Sequence, residues 1–190
     1  MAATVEVVCA YGGTDGSPSH TSGLSAFKFR SDDDPGNTGA TNPILKPTSG
    51  QNYSFWVHQR LDISGTFTSV GNIHVYTDGA LGYDFGTNGD IIVGLLTAGP
   101  PHGIPESDYI VATGTVGETG DILNSTNHTG IDSTASLFGY TSASTLQVDD
   151  STYTAAGKSK MIVMQAVIDS DATAGSYSGE NITWRWDEVP

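Results

Sequence analysis

The sequence predicts an all-β chain, a single antiparallel β-sandwich of jelly-roll or immunoglobulin-like type spanning residues 1–190. Three observations carry that expectation. Apolar residues recur with period two in short runs, the mark of strands with one buried face. Gly, Pro, Asn, Asp and Ser cluster between the runs, where turns need them. No stretch of more than about two turns shows the amphipathic period of a helix.

In chain order, Val5–Ala10 is the first strand candidate and Ser25–Arg30 the second. The clearest is Tyr53–Ser64, YSFWVHQRLDIS. There Tyr53, Phe55, Val57, Leu61 and Ile63 alternate with Ser54, Trp56, His58, Arg60 and Asp62, and only Gln59 interrupts the apolar face. One buried and one polar face are expected. In Asn72–Asp78, Ile73 and Val75 share one face, His74 and Tyr76 the other, and Asp78-Gly79 supplies a turn. Ile91–Leu96, IIVGLL, is apolar on both faces and reads as a central strand. Tyr109–Val116, YIVATGTV, is strand-like. Lys160–Asp169, KMIVMQAVID, is the most continuous apolar run, and its Val and Ile content favours a strand in the middle of the sandwich over a short helix.

Ile182–Trp186 closes the series. Ile182, Trp184 and Trp186 share one face, with Asn181, Thr183, Arg185 and Asp187 on the other. Each Trp buries roughly 200 Å². At about 25 cal/mol per Å² that is several kcal/mol before entropy is subtracted, enough to hold a strand end in place. Two uses follow: the pair closes its own core, or one of them faces a partner subunit.

Composition narrows the function. Acids number 21 against 7 bases, for a net charge of −14. Lys28, Arg30, Lys46, Arg60, Lys158, Lys160 and Arg185 are scattered rather than patched, which argues against nucleic-acid binding. No window approaches the roughly 20 apolar residues of a membrane span. The N-terminal MAATVEVVCAYGG has no basic region ahead of an apolar stretch, so no signal peptide is read, and synthesis in a cytoplasm is expected. Cys9 is the one cysteine, so no intrachain disulfide forms; beside Val7 and Val8 it is expected as a small buried hydrophobe.

Catalytic patterns fail one by one. AAGKSK at 155–160 contains Gly-Lys-Ser, but the phosphate loop needs Gly where Thr152 stands, and a strand-like run follows. There is no G-x-S-x-G and no H-E-x-x-H, and no carboxylate pair is marked out. The expectation is a non-enzyme without a cofactor. Asp32, Asp33 and Asp34 are a weak calcium candidate, since hard oxygen ligands suit that ion, but the spacing is not that of an EF-hand; Asp169 and Asp171 are a thinner one. His58 and His74 lie on the polar faces of two runs read as neighbouring strands, and are expected as surface histidines. His20, His102 and His128 fall in loops without metal-ligand spacing. Trp56 and Tyr76 lie on faces otherwise polar, as if something covers them.

The strand phrases NYSFWVHQRLDI and IHVYTDG, the stretches ATGTVGETG and LFGYTSAS, and the closing ATAGSYSGENITWRWDE span much of residues 51–190. With the Gly/Ser/Thr-rich make-up, they resemble small β-sandwich structural proteins of tailed bacterial and archaeal viruses. The resemblance implies a virion component, a capsid decoration or minor head or tail protein, whose partners are capsid or tail proteins and copies of itself. It supplies no functional residues.

Many weak contacts acting together would hold such a protein, and a closed homo-oligomer such as a trimer is the natural form. The expected contact residues are Trp56, Tyr76, Trp184 and Trp186, with Val5 and Val7 in an N-terminal segment able to act as an extending arm. The alternative is a carbohydrate-binding module or adhesin-like tail protein, with Trp56 and Tyr76 as a platform for sugar rings.

Overall fold

Alternation along the chain does build strands. The computed structural model describes residues 2–23, 26–96, 103–175 and 179–190. Its strands are β1 (Ala3–Thr14), β2 (Ser17–Ser22), β3 (Gln51–Tyr53), β4 (Val57–Gly65), β5 (Ser69–Tyr76), β6 (Asp90–Leu95), β7 (Ser133–Ser136), β8 (Leu146–Tyr153), β9 (Gly157–Lys158), β10 (Ile162–Asp169) and β11 (Thr183–Val189). Among the described residues there is no α-helix, and only Glu106–Asp108 and Leu137–Gly139 form 3₁₀ turns. The larger sheet has the order β2-β1-β4-β10-β6-β7, with β3 beside β10 and β9 beside β4; the smaller is β11-β5-β8. These strand pairs are antiparallel. The fold is the expected all-β sandwich.

Register decides what each face meets. Val5 pairs with Ile63 and Val7 with Leu61, while Val8 pairs with Arg60 and Ala10 with His58. Paired residues share a face. The first set points at the smaller sheet and joins Val70, Ile73, Val75, Leu146 and Val148 in the main core. The second set points the other way, into a second core. There Ala10, Trp56, Met161 and Val163 meet Ile104, Tyr109, Ala112, Leu123 and Ile131, which come from the irregular segment 103–131. The larger sheet is therefore covered on both faces, and all eight residues of β10 are buried, as its unbroken apolar run predicts.

That second cover corrects several expectations. Tyr109–Val116 is not a strand but part of the covering layer, with one bridge between Gly114 and Gly120. Gly114 and Gly117 take φ of +136° and +84°, which ends any extended run there. The supposed polar face of Tyr53–Ser64 is buried: His58 and Arg60 are each 1% exposed and Trp56 is 2%.

The run also breaks in two. β3 pairs with β10 at Val167–Asp169 and β4 pairs with it at Ile162–Met164. Between them Phe55 and Trp56, neighbours in sequence, both enter the second core. A regular strand sends neighbours to opposite faces, so the chain departs from strand geometry to place both. Ala26–Arg30 pairs with no strand, and Ser25 lies outside the described residues; Lys28 N bonds Pro35 O and Arg30 O accepts from Phe55 N instead. His58 and His74 are not neighbours, since β4 and β5 belong to different sheets. In the N-terminal segment, Ala3–Ala10 is paired with β4 along its length.

Candidate functional site

Two features of the main core reach the surface. The first is a half-open cavity of about 880 Å³. Val7, Gln59, Ile91 and Ile168 line it from the larger sheet, Trp184 from β11 and Ile182 from just before that strand. Phe27, Phe29 and Ile44 enter from the segment 26–46, and Phe85 and Phe138 also line it. Phe27 and Phe29 sit edge to face, with ring centroids 5.3 Å apart. The Trp184 indole Nε1 is shut off from solvent without a hydrogen-bond partner. Such a donor costs about 1–3 kcal/mol, so this wall is not optimised for stability alone.

The segment 26–46 is built around Arg30, which is 2% exposed. Its Nε and Nη2 donate to the two oxygens of Asp32 at 2.6 and 2.9 Å, Nη1 donates to Asn37 O, and Nη2 also reaches Thr41. Asn42 Nδ2 donates to Asp32 as well. These bonds hold the Asp32 carboxyl below the usual range, the Arg30 bond contributing most. Asp33 accepts Gly12 N at 2.6 Å, and burial pushes its carboxyl up to about 6. The weak calcium candidate Asp32–Asp33–Asp34 thus becomes a loop organised by a guanidinium: Asp32 spends its oxygens on Arg30 and Asn42, and Asp33 turns toward Gly12. Asp169 and Asp171 likewise accept from Asn88 and Thr87. Among the described residues no group of three His, Cys, Asp or Glu is placed to hold a metal.

The second feature is an open flank. Among the described residues, β2 pairs with β1 only from Val8 onward, so Ala3–Val7 has β4 on one side and no strand on the other. Among the described residues, β11 pairs with β5 alone. The two edges are bridged where Ala3 N donates to Glu188 Oε1 at 2.5 Å. Val5, Val7, Trp184 and Trp186 pack against the main core from this flank while staying partly exposed. Four expected contact residues are therefore brought together. Tyr76 is apart from them, because it pairs with Thr183 on the outer face of the smaller sheet, and it is half-buried. Trp56 is withdrawn from any surface role: it lies inside, and its Nε1 donates to Ile110 O at 3.0 Å.

Buried in the second core is a pair that sequence spacing does not reveal. His58 Nε2 lies 2.9 Å from His128 Nε2, 70 positions away, and His128 is 0% exposed. His58 also lies against Tyr109, with ring centroids 4.5 Å apart. Gly130 N donates to His128 Nδ1, so that nitrogen carries no proton. Neutral His128 is then protonated at Nε2 and donates to His58 Nε2, which leaves the His58 proton on Nδ1. Burial holds both imidazoles neutral, His58 well below its ordinary range and His128 down to about 4.

Nearby, Arg60 donates to Asp62 at 2.8 Å and to Glu106 at 2.6 Å, and Glu106 also meets His20 at 3.2 Å. This pins the covering layer to the sheet. Cys9 is fully buried and burial raises its thiol to about 11, so it offers no thiolate at neutral pH. His102 lies outside the described residues.

No protein-family model, no curated protein and no solved structure matches the chain.

Proposed function

We propose that the chain is a non-catalytic structural protein of a virus particle, a capsid decoration or minor head or tail protein that binds copies of itself and neighbouring subunits. The observation that carries this reading is the open flank. Unpaired strand edges present rows of backbone donors and acceptors, and proteins that stay monomeric cover, charge or shorten them. Among the described residues, Ala3–Val7 and β11 each have one edge that no strand pairs, with Val5, Val7, Trp184 and Trp186 partly exposed. A strand or edge from another chain fits such a flank by adding to the sheet, and the tryptophans supply the apolar contact. The resemblance of the strand phrases to virion sandwiches assigns the setting. The sugar-platform reading loses its principal residue, because Trp56 is 2% exposed.

Light scattering coupled to size-exclusion chromatography tests the proposal on the full chain. A discrete oligomer that Trp186→Ser shifts toward monomer, with circular dichroism unchanged, is the expected result. A wild-type monomer at its highest soluble concentration would overturn self-assembly through this flank.

A further inference from the structure

The free edge of β11 is complementary to itself. Along this strand Trp184, Trp186 and Glu188 are half-buried on the side toward the core, and Arg185, Asp187 and Val189 are exposed on the outer side. Val189 pairs with Ser69, and its carbonyl accepts Thr68 N at 2.9 Å, so its backbone groups turn toward β5. The register shift opposite is taken up by β5, where Asn72 has a φ of +52°, so β11 itself keeps its alternation. The N–H and C=O groups of Trp184, Trp186 and Glu188 therefore face the edge that no described strand pairs.

The charges on the strand select the occupant. Laid antiparallel against a second copy, with a two-fold axis at Trp186, β11 sets each Arg185 opposite Asp187 of the other copy. Trp184 then falls opposite Glu188, Thr183 opposite Val189, and Trp186 meets Trp186. The outward backbone groups coincide with the Trp186 pair and the Trp184–Glu188 pairs, which can each exchange both hydrogen bonds. Arg185 and Asp187 fall at the positions between, where opposed side chains approach most closely. Arg185 makes no ion pair among the described residues. Asp187 accepts Asn72 Nδ2 at 2.7 Å and keeps lone pairs for a cation. An axis at Glu188 instead sets two carboxylates against each other, and an axis at Trp184 leaves Arg185 facing Thr183. The other sheet-end strands lack this pattern: β2 and β7 carry no Lys, Arg, Asp or Glu, and β8 carries Asp149 and Asp150 without a base.

We infer that β11 pairs with β11 of a second copy in this register, joining the smaller sheets of two chains into one across a two-fold axis. This names the partner and the register at the open flank, and it rests on the self-assembly reading above. Such an isologous contact closes on itself, so the form it gives is a dimer rather than a trimer.

Light scattering over a dilution series tests the pairing at about 0.15 M salt, where repulsion between two chains of net charge −14 is screened beyond roughly 8 Å. A dimer is expected. Arg185→Asp sets like charges opposite each other twice, and is expected to weaken the dimer by about tenfold or more. Arg185→Asp/Asp187→Arg is expected to restore it to within about threefold. Both side chains are exposed, and circular dichroism checks that each variant folds. Oxidation with copper phenanthroline reads the register: an equimolar mixture of Arg185→Cys and Asp187→Cys should give a disulfide-linked dimer, and neither variant alone should. Cys9 is fully buried and stays out of the reaction. A trimer, a dimer that Arg185→Asp leaves unchanged or that the double exchange fails to restore, or no cross-link in the mixture would overturn this pairing while self-assembly through the flank still stands. A wild-type monomer would overturn both and leave the edge to a different chain.

Discussion

Acidification is expected to strip stability from this fold between pH 6.5 and pH 5 through His58 and His128. Both imidazoles are buried and neutral, and His128 titrates at about 4 in the folded chain. In the unfolded chain each titrates near 6.5. The unfolded state therefore takes up protons first as pH falls. The stabilisation is fully present above pH 6.5 and is lost as pH drops toward the folded values. Two protons give a limiting slope of about 3 kcal/mol per pH unit, which is only half reached at pH 6.5, so the loss between pH 6.5 and pH 5 is about 3 kcal/mol, a large part of a typical domain's stability.

Asp33 works against this. Its folded carboxyl lies at about 6, above the unfolded range, so the folded state gains its proton first and is favoured as pH falls. Tyr109 and Trp56 pack on the pair without titrating in this window, while Asp108 and Asp15 act on His128 through space. A difference measurement removes what is common. Urea unfolding of wild type and His128→Gln, extrapolated to water at pH 7, 6 and 5, should show the variant's slope shallower by about 1 kcal/mol per pH unit. Equal slopes would refute the assignment of two neutral imidazoles, whatever the absolute stabilities.

Two further outcomes are expected. Arg30→Ala leaves Asp32 without its bidentate partner and unties the segment 26–46, so urea unfolding should report a loss of about 3 kcal/mol; a change below about 1 kcal/mol would mean that the bridge is not holding that wall. Cys9 should resist a thiol reagent such as dithiobis(nitrobenzoate) in the native state and react at once in denaturant, because its thiol is buried and titrates at about 11; fast native labelling would show that the Cys9–Gln59 region opens.

Short-range pattern determined much of this protein. Period-two alternation located β4, β5 and β11, and the run apolar on both faces marked β10 as central, because one strand's burial is written in its own side chains. The sharing of a face by Trp184 and Trp186 was legible for the same reason. β2 and β7, with SPSHTS and STAS, were not legible: they are polar edge strands held by backbone pairing with a neighbour. The segment 26–46 was misread at its start, where Ser25–Arg30 was expected as a strand, since its order depends instead on Arg30 reaching Asp32, Asn37 and Thr41.

Tertiary structure alone decided what covers the back of the larger sheet. Alternation says that His58 and Arg60 share a face, but solvent on that face is an assumption. Here the layer 103–131 lies over it, so the polar side chains are buried and must find partners there, His128 for one and Glu106 for the other. Those partners stand 70 and 46 positions away, and only the folded backbone brings them within hydrogen-bond reach.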